Sequence, residues 1–203
     1  HIREDVKPFA GKCYIVKDGK NIELENTATG MAAVQWAISK ELTQQGFTAL
    51  EETIKTYLCE VHNMSVESEY IRDGIVGRTV KFMARQYRDA KTKQKQQKEK
   101  GEVALDREAM KAERIAEIQK DSEFAKWKEK DQEFYLQKVK EMMSDIPEAL
   151  VVRTLQVADQ RNTLNHFGFQ EHPTTYDKLQ KNLEKLYQEI QEIMKQENVI
   201  WEN

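Results

Sequence analysis

Apolar residues recur every three or four positions along most of the chain, which is the spacing of one face of an α-helix. The first such stripe consists of Met31, Val34, Ile38 and Leu42. Gly46 is expected to end this helix, and the capping-box pair Thr48 and Glu51 is expected to begin the next one. Further stripes predict a third helix from Ser65, a weak one before residue 120, and three strong ones after Asp121.

One short stretch near the N-terminus departs from the helical period. Residues 12–24 contain two β-prone runs on either side of Asp18 and Gly19, a pair that tolerates the positive φ angles of a tight turn. This pattern predicts a small β-hairpin. An isolated hairpin is marginal in water, so we expect it to lie on the helices or to pair with a strand of another chain.

Together these elements predict a mainly α fold in which a small N-terminal β-hairpin is followed by six or seven helices. The apolar stripe fades between residues 91 and 101, where Lys and Gln predominate. We therefore expect a module of the hairpin and three helices at 1–90, a connector at 91–101, and a C-terminal helical bundle or long helical hairpin at 102–203.

The last predicted helix has the most regular apolar spacing in the chain. Its apolar residues alternate at intervals of three and four, as in the seam of a coiled coil, although they cover fewer than three heptads. The predicted partner-binding residues are Leu179, Leu183, Leu186, Ile190 and Ile193, with Trp201 as an anchor near the end. A seam this short also fits packing inside its own bundle, which is the alternative for the five heptad residues.

Charge is distributed unevenly along the chain. The whole chain has a net charge of −3, but residues 78–101 contain nine basic residues and two acidic ones. Such a segment either holds a phosphate backbone or forms the solvated face of a helix. The predicted nucleic-acid-binding residues are Arg78, Lys81, Arg85, Arg88, Lys91, Lys93, Lys95 and Lys98. Phe82 and Tyr87 interleave with them, but Tyr87 shares the apolar stripe and is expected to be buried.

Two shorter patterns that precede this segment are interpreted as packing features. Gly74 and Gly77 have the spacing of the GxxG loop of KH domains, but the residues between them are apolar, which favours close helix packing or a kink. The break at residues 63–65 would also fit a helix-turn-helix. Because Glu67 and Glu69 would then point at the phosphates, we favour two packed helices.

Several kinds of site are not indicated by the sequence. It contains no nucleophile elbow, glycine-rich phosphate loop or zinc-binding repeat, and its carboxylates alternate with lysines as they do on solvated helices. Cys59 and His62 share a helix face but have no second pair at metal-binding spacing. We therefore predict a protein that is not an enzyme and has no cofactor, no metal and no evident small-molecule substrate.

The expected location and function follow from these observations. No apolar run reaches the roughly 18 residues of a membrane span, so we expect a cytoplasmic or otherwise intracellular protein with no membrane partner. The leading hypothesis is a protein–protein interaction or assembly module that binds another chain, itself or another protein, through amphipathic helices. The alternative is a nucleic-acid-binding protein that uses the basic segment 78–100.

Overall fold

The computed structural model describes residues 12–17, 19–96, 106–165 and 175–202. Within these ranges the chain is mainly α-helical with a small N-terminal hairpin, which confirms the predicted fold class. The strands are β1 (Lys12–Lys17), β2 (Lys20–Glu23) and β3 (Val199–Glu202). The helices are α1 (Glu25–Ser39), α2 (Thr43–Val61), α3 (Arg78–Gln96), α4 (Arg107–Gln119), α5 (Glu129–Asp145), α6 (Glu148–Asn165) and α7 (Tyr176–Gln196). A π-helical segment, Tyr70–Gly77, leads directly into α3, and a 3-10 turn, Phe124–Lys126, precedes α5.

The chain divides into two compact units. Unit 1 combines His1–Val61 with Val152–Asn203, and unit 2 is the continuous stretch His62–Val151. These bounds differ from those of the modules expected at 1–90 and 102–203. The units are defined by contacts between distant parts of the chain, and such contacts leave no mark on local periodicity.

The segment expected to be a connector, residues 91–101, begins within α3. That helix continues to Gln96, and the rest of the segment lies outside the described residues. Its role as a connector therefore stays a prediction.

Unit 1 contains a three-stranded antiparallel sheet with the strand order β2-β1-β3. The hairpin turn uses Gly19, whose φ of 71° lies in the left-handed region that glycine adopts without strain. β1 also pairs with β3, which places Cys13 opposite Trp201 and Ile15 opposite Val199. The hairpin thus pairs with a strand of its own chain, which the sequence pattern did not reveal.

The break between α1 and α2 lies earlier than predicted. The N–H of Leu42 donates to the Ala37 carbonyl at 2.8 Å, and the N–H of Glu41 donates to the Ile38 carbonyl at 3.1 Å. These bonds form a Schellman motif in which Glu41 has a left-handed φ of 57°. The predicted helix end at Gly46 is wrong, because Glu41 adopts the conformation for which glycine is the usual residue.

Gly46 and Glu51 instead lie inside α2. Gly46 is buried against Leu183 of α7, and a Cβ added at residue 46 would overlap the Leu183 Cδ2. Glu51, which was expected in a capping box, forms an ion pair with Arg161 of α6 at 2.8 Å, and only 5% of its side chain is exposed. Both residues therefore pack α2 against other helices of unit 1.

The core of unit 1 forms where α1, α2 and α7 pack together, with the sheet against α1. The last turn of α2 also caps the first turn of α1. Glu60 accepts hydrogen bonds from the backbone N–H groups of Asn26 and Thr27, both at 3.0 Å. A carboxylate at a helix N-terminus satisfies N–H groups that have no partner in the helix and interacts favourably with the helix dipole.

Unit 2 is built from the π-helical segment and from α3, α4 and α5, which contact one another through apolar side chains. Its core includes Ile75, Val76, Val80, Met83, Phe124, Val139 and Met142. The helix that was expected from Ser65 begins at Tyr70. Before that point Asn63 has a left-handed φ of 53°, and the Ser65 hydroxyl accepts the N–H of Ser68 in a turn. Ser65 therefore stabilises the turn and does not cap the helix.

Candidate nucleic-acid interface

Helix α3 is buried on most sides of its first two turns and exposed along one stripe. Its buried residues there are Thr79, Val80, Phe82, Met83 and Ala84. The exposed stripe, which we call the basic face, consists of Arg78, Lys81, Arg85 and Arg88. Intervals of three and four residues place neighbouring side chains about 5 to 6 Å apart on one side of the helix.

Nearby carboxylates neutralise only one end of the basic face. The Nη1 atom of Arg78 lies 3.2 Å from Oδ2 of Asp121. No carboxylate of the described residues forms an ion pair with the other three basic side chains, although Asp89 borders the stripe. Like charges at such intervals destabilise a helix by about 0.2 to 0.5 kcal/mol per pair. The row therefore works against helix stability, unlike the alternating charges of α5.

The other predicted phosphate-binding residues lie further along the chain. Lys91 is exposed on α3. The side chains of Lys93 and Lys95, and all of Lys98, lie outside the described residues, so their roles stay predictions. Phe82 is buried and Tyr87 is half-buried. Phe82 therefore offers no ring face to a base.

Arg114 of α4 holds the start of α3 in place. Its Nε donates to Thr79 Oγ1 at 2.9 Å, and its Nη2 lies 3.3 and 3.5 Å from the carbonyl oxygens of Gly74 and Ile75. Its Nη1 donates to Glu117 at 2.9 Å. Only 6% of the Arg114 side chain is exposed, and burial lowers its pKa. These bonds supply donors to carbonyls at the end of the π-helical segment, where hydrogen bonding returns to the α pattern.

Gly74 and Gly77 lie in the π-helical segment and not in an exposed loop. Ile75 and Val76 between them are fully buried. A Cβ added at residue 74 would lie 3.0 Å from Cδ2 of the Tyr70 ring, so glycine allows this ring to pack closely. This arrangement agrees with the packing interpretation of the glycine pair.

A row of four aromatic rings crosses the surface of unit 2. The ring centroids are 5.4 Å apart between Tyr70 and Trp127, 5.2 Å between Trp127 and Tyr135, and 5.1 Å between Tyr135 and Phe134. All three contacts are edge-to-face, the arrangement that aromatic quadrupoles favour. Phe134 ends this aromatic row and is 40% exposed, whereas Phe124 is buried beside Trp127.

Asp121 joins the aromatic row to the basic face. Its carboxylate accepts hydrogen bonds from the Arg78 guanidinium and from the backbone N–H groups of Glu123 at 2.9 Å and Phe124 at 3.3 Å. It also accepts one from the Tyr70 hydroxyl, which is the largest cause of the lowered pKa of Asp121. Burial, and secondarily this bond, raise the pKa of Tyr70 to about 12.

We expect the pKa of Asp121 in the folded protein to lie below its ordinary value of 3.8. Because the folded pKa is lower than the unfolded one, Asp121 stabilises the fold at a pH above about 4. This contribution disappears as the pH falls through the folded pKa. An NMR titration of the Asp121 carboxyl carbon measures the shift, and Asp121→Asn should remove this part of the acid dependence of stability. A folded pKa at or above 3.8 would contradict the prediction.

The five heptad residues come together in the core of unit 1. They are exposed by 9% or less, and α7 contacts both α1 and α2. This burial corresponds to the alternative in which the seam packs inside its own fold. Contact of these residues with another chain stays a prediction.

Trp201, the other predicted partner contact, lies in β3 opposite Cys13. Its side chain is half-buried, and its indole N–H is buried without a hydrogen bond to any described residue. Its role as an anchor for a partner also stays a prediction. Cys13 and Cys59 are buried thiols, and burial raises the pKa of Cys13 to about 12.

Neither a membrane-spanning helix nor a metal-binding cluster is found among the described residues. No helix in those ranges combines the length and the apolar character needed to cross a membrane. No group of three or more His, Cys, Asp or Glu residues there is arranged to hold a metal ion. Comparison of the chain with protein-family models, curated proteins and solved structures gave no significant match.

Proposed function

We propose that this chain is a non-enzymatic nucleic-acid-binding protein whose basic face contacts the phosphate backbone. The observation that carries the proposal is the row of four exposed cations, three of which have no carboxylate partner among the described residues. The row covers about 15 Å of α3, because an α-helix rises 1.5 Å per residue. Phosphates supply most of the attraction in sequence-independent binding of nucleic acids.

A nucleic acid suits this row better than an acidic protein does. Every nucleotide carries a charge, so several cations of the row can be engaged at once in many registers of the strand. An acidic protein would need carboxylates at matching positions. Three of the four residues are arginines, whose planar guanidinium groups bind phosphate oxygens in pairs.

A triple variant of the basic face tests the proposal. Lys81, Arg85 and Arg88 are changed to Gln, which keeps helix propensity and removes three charges. Fluorescence anisotropy with labelled single-stranded and duplex oligonucleotides gives the affinity at several salt concentrations. If all three residues contact phosphates, the slope of log affinity against log salt should fall by about 2 on a single strand and about 3 on a duplex.

A matched variant in unit 1 controls for net charge. Lys20, Lys178 and Lys181 are exposed, and their change to Gln removes the same number of charges. We expect this control variant to keep the affinity and salt slope of the wild type. Equal losses in both variants would reject the basic face as the site. Binding of polyglutamate as tight as that of the oligonucleotides would reject nucleic acid as the partner.

Assembly with another copy of the chain through α7 is the second candidate function. It is favoured by the intervals of four and three between the heptad residues, which match a coiled-coil seam. Because these side chains are buried in unit 1, assembly would require α7 to be exchanged between copies. Sedimentation velocity distinguishes the outcomes. A dimer that dissociates on dilution supports assembly, and a single-chain mass at every concentration contradicts it.

A further inference from the structure

We propose that the nucleic acid is single-stranded and that one of its bases stacks on Phe134, at the exposed end of the aromatic row. This inference rests on the proposed function, because the basic face supplies the attraction for the backbone. Stacking on an aromatic ring requires a base whose face is free. A duplex keeps its bases stacked on one another, whereas a single strand offers them to side chains.

Phe134 has the properties of a stacking platform. It is 40% exposed, and the Tyr135 ring contacts it at an interplanar angle of 88°. The Lys138 ammonium lies over one face of the Phe134 ring, 5.7 Å from its centroid, so the base is expected on the opposite face. An aromatic ring that is partly exposed to water and packed against a second ring resembles the platforms on which single-strand-binding proteins stack bases.

Hydrogen bonds hold the aromatic row in position at Trp127 and at Tyr70. The side-chain amide of Gln132 donates to the carbonyls of Trp127 at 2.9 Å and Phe124 at 3.2 Å, which holds the turn before α5. At the other end of the row, the Tyr70 hydroxyl shares Asp121 with Arg78. A continuous chain of contacts therefore links Phe134 to Arg78, the first residue of the basic face.

Charge around Phe134 is close to balanced. Lys130 and Lys138 lie one turn before and after it, and the acidic residues nearest to this side of α5 are Asp131 and Glu141. Lys138 and Glu141 form an ion pair at 2.8 Å. Stacking, and not added electrostatic attraction, is therefore the contribution that Phe134 makes.

The Phe134→Leu variant separates stacking from charge. Leucine keeps an apolar side chain at this partly exposed position but has no aromatic face, and circular dichroism checks that the variant is folded. We expect its affinity for a labelled single strand to fall by about tenfold, with an unchanged salt slope. Its affinity for a duplex should equal that of the wild type. Phe134→Trp should keep the single-strand affinity.

Three results would overturn the inference, and they are distinguishable. Equal single-strand affinities of the wild type and Phe134→Leu would reject stacking while the proposed function stands. If Phe134→Leu loses as much affinity for an abasic strand as for a normal strand, stacking is also rejected, because an abasic strand has no base to stack. If the wild type binds neither the single strand nor the duplex at low salt, the proposed function is rejected, and the inference is rejected with it.

Discussion

We expect the Leu183→Ala variant to lose about 2 to 5 kcal/mol of the free energy of unfolding. Leu183 is fully buried in unit 1, and its methyl groups occupy the space that a side chain at residue 46 would fill. Since Gly46 has no side-chain atoms to move into the vacated volume, truncation leaves a cavity between α2 and α7. Urea unfolding followed by circular dichroism measures the loss.

Three comparisons make this prediction specific. Ile200→Ala removes an apolar side chain that is 43% exposed, and it should cost less than about 1 kcal/mol. The pair Gly46→Ala and Leu183→Ala should be less destabilising together than the sum of the single changes, because the new methyl group fills part of the cavity. A thermal midpoint that rises with protein concentration would instead indicate that α7 is shared between copies.

The second large effect is expected for Arg114→Met, which should lower the free energy of unfolding by about 3 kcal/mol. Methionine keeps much of the apolar volume of the side chain but cannot donate to Thr79 or to the carbonyls of Gly74 and Ile75. Thr79 and the Ile75 carbonyl then lose a charged donor at a buried position, and the Gly74 carbonyl loses one at a partly buried position. Urea unfolding gives the magnitude, and hydrogen exchange should show faster opening at the start of α3.

Two variants control for the loss of a positive charge. Arg107→Met changes an exposed arginine at the start of the same helix, and it should alter the free energy of unfolding by less than about 0.5 kcal/mol. Arg114→Lys should be intermediate, because an ammonium keeps the charge but cannot reach all the acceptors that a planar guanidinium reaches. Equal stability of Arg114→Met and Arg107→Met would show that the buried hydrogen bonds contribute little.

Local patterns were sufficient to predict that the helices and the hairpin exist, but not every residue at which a helix begins or ends. The spacing of Leu179, Leu183 and Leu186 predicts α7, because one face of a helix must be apolar to be buried. Gly19 predicts the hairpin turn, because its positive φ is cheap only for residues without a Cβ or with a short polar side chain. In both cases the residues that determine the element lie within it, so a local pattern is enough to predict it.

Features that depend on distant residues were not predictable in this way. The apolar spacing predicts a helix end at Gly46, but in the structure Leu183 of a distant helix occupies the space that a side chain at residue 46 would need. β3 is only four residues long, and its pairing with β1 is visible only after folding.

The candidate site was predictable only in part. The basic face follows from the spacing of Arg78, Lys81, Arg85 and Arg88. Arg114 looks like one more charged residue of a solvated helix until its burial is known. Phe134 and Tyr135 are adjacent, so they point about 100° apart on a helix. This angle indicates that the two rings cannot both point into the core, but it does not indicate which ring is exposed.

The pairing of β1 with β3 has a consequence for folding during translation. Residues 62–151 form unit 2 as one uninterrupted stretch, so everything that this unit needs has been translated once Val151 has left the ribosome. Unit 1 cannot be completed until residues 199–202 emerge. At a translation rate of about 5 to 20 residues per second, the time between the synthesis of α2 and that of β3 is on the order of 10 s. Unit 2 can therefore fold while the two segments of unit 1 are still separated, and the faces of α1 and α2 that pack against α7 stay uncovered during that interval.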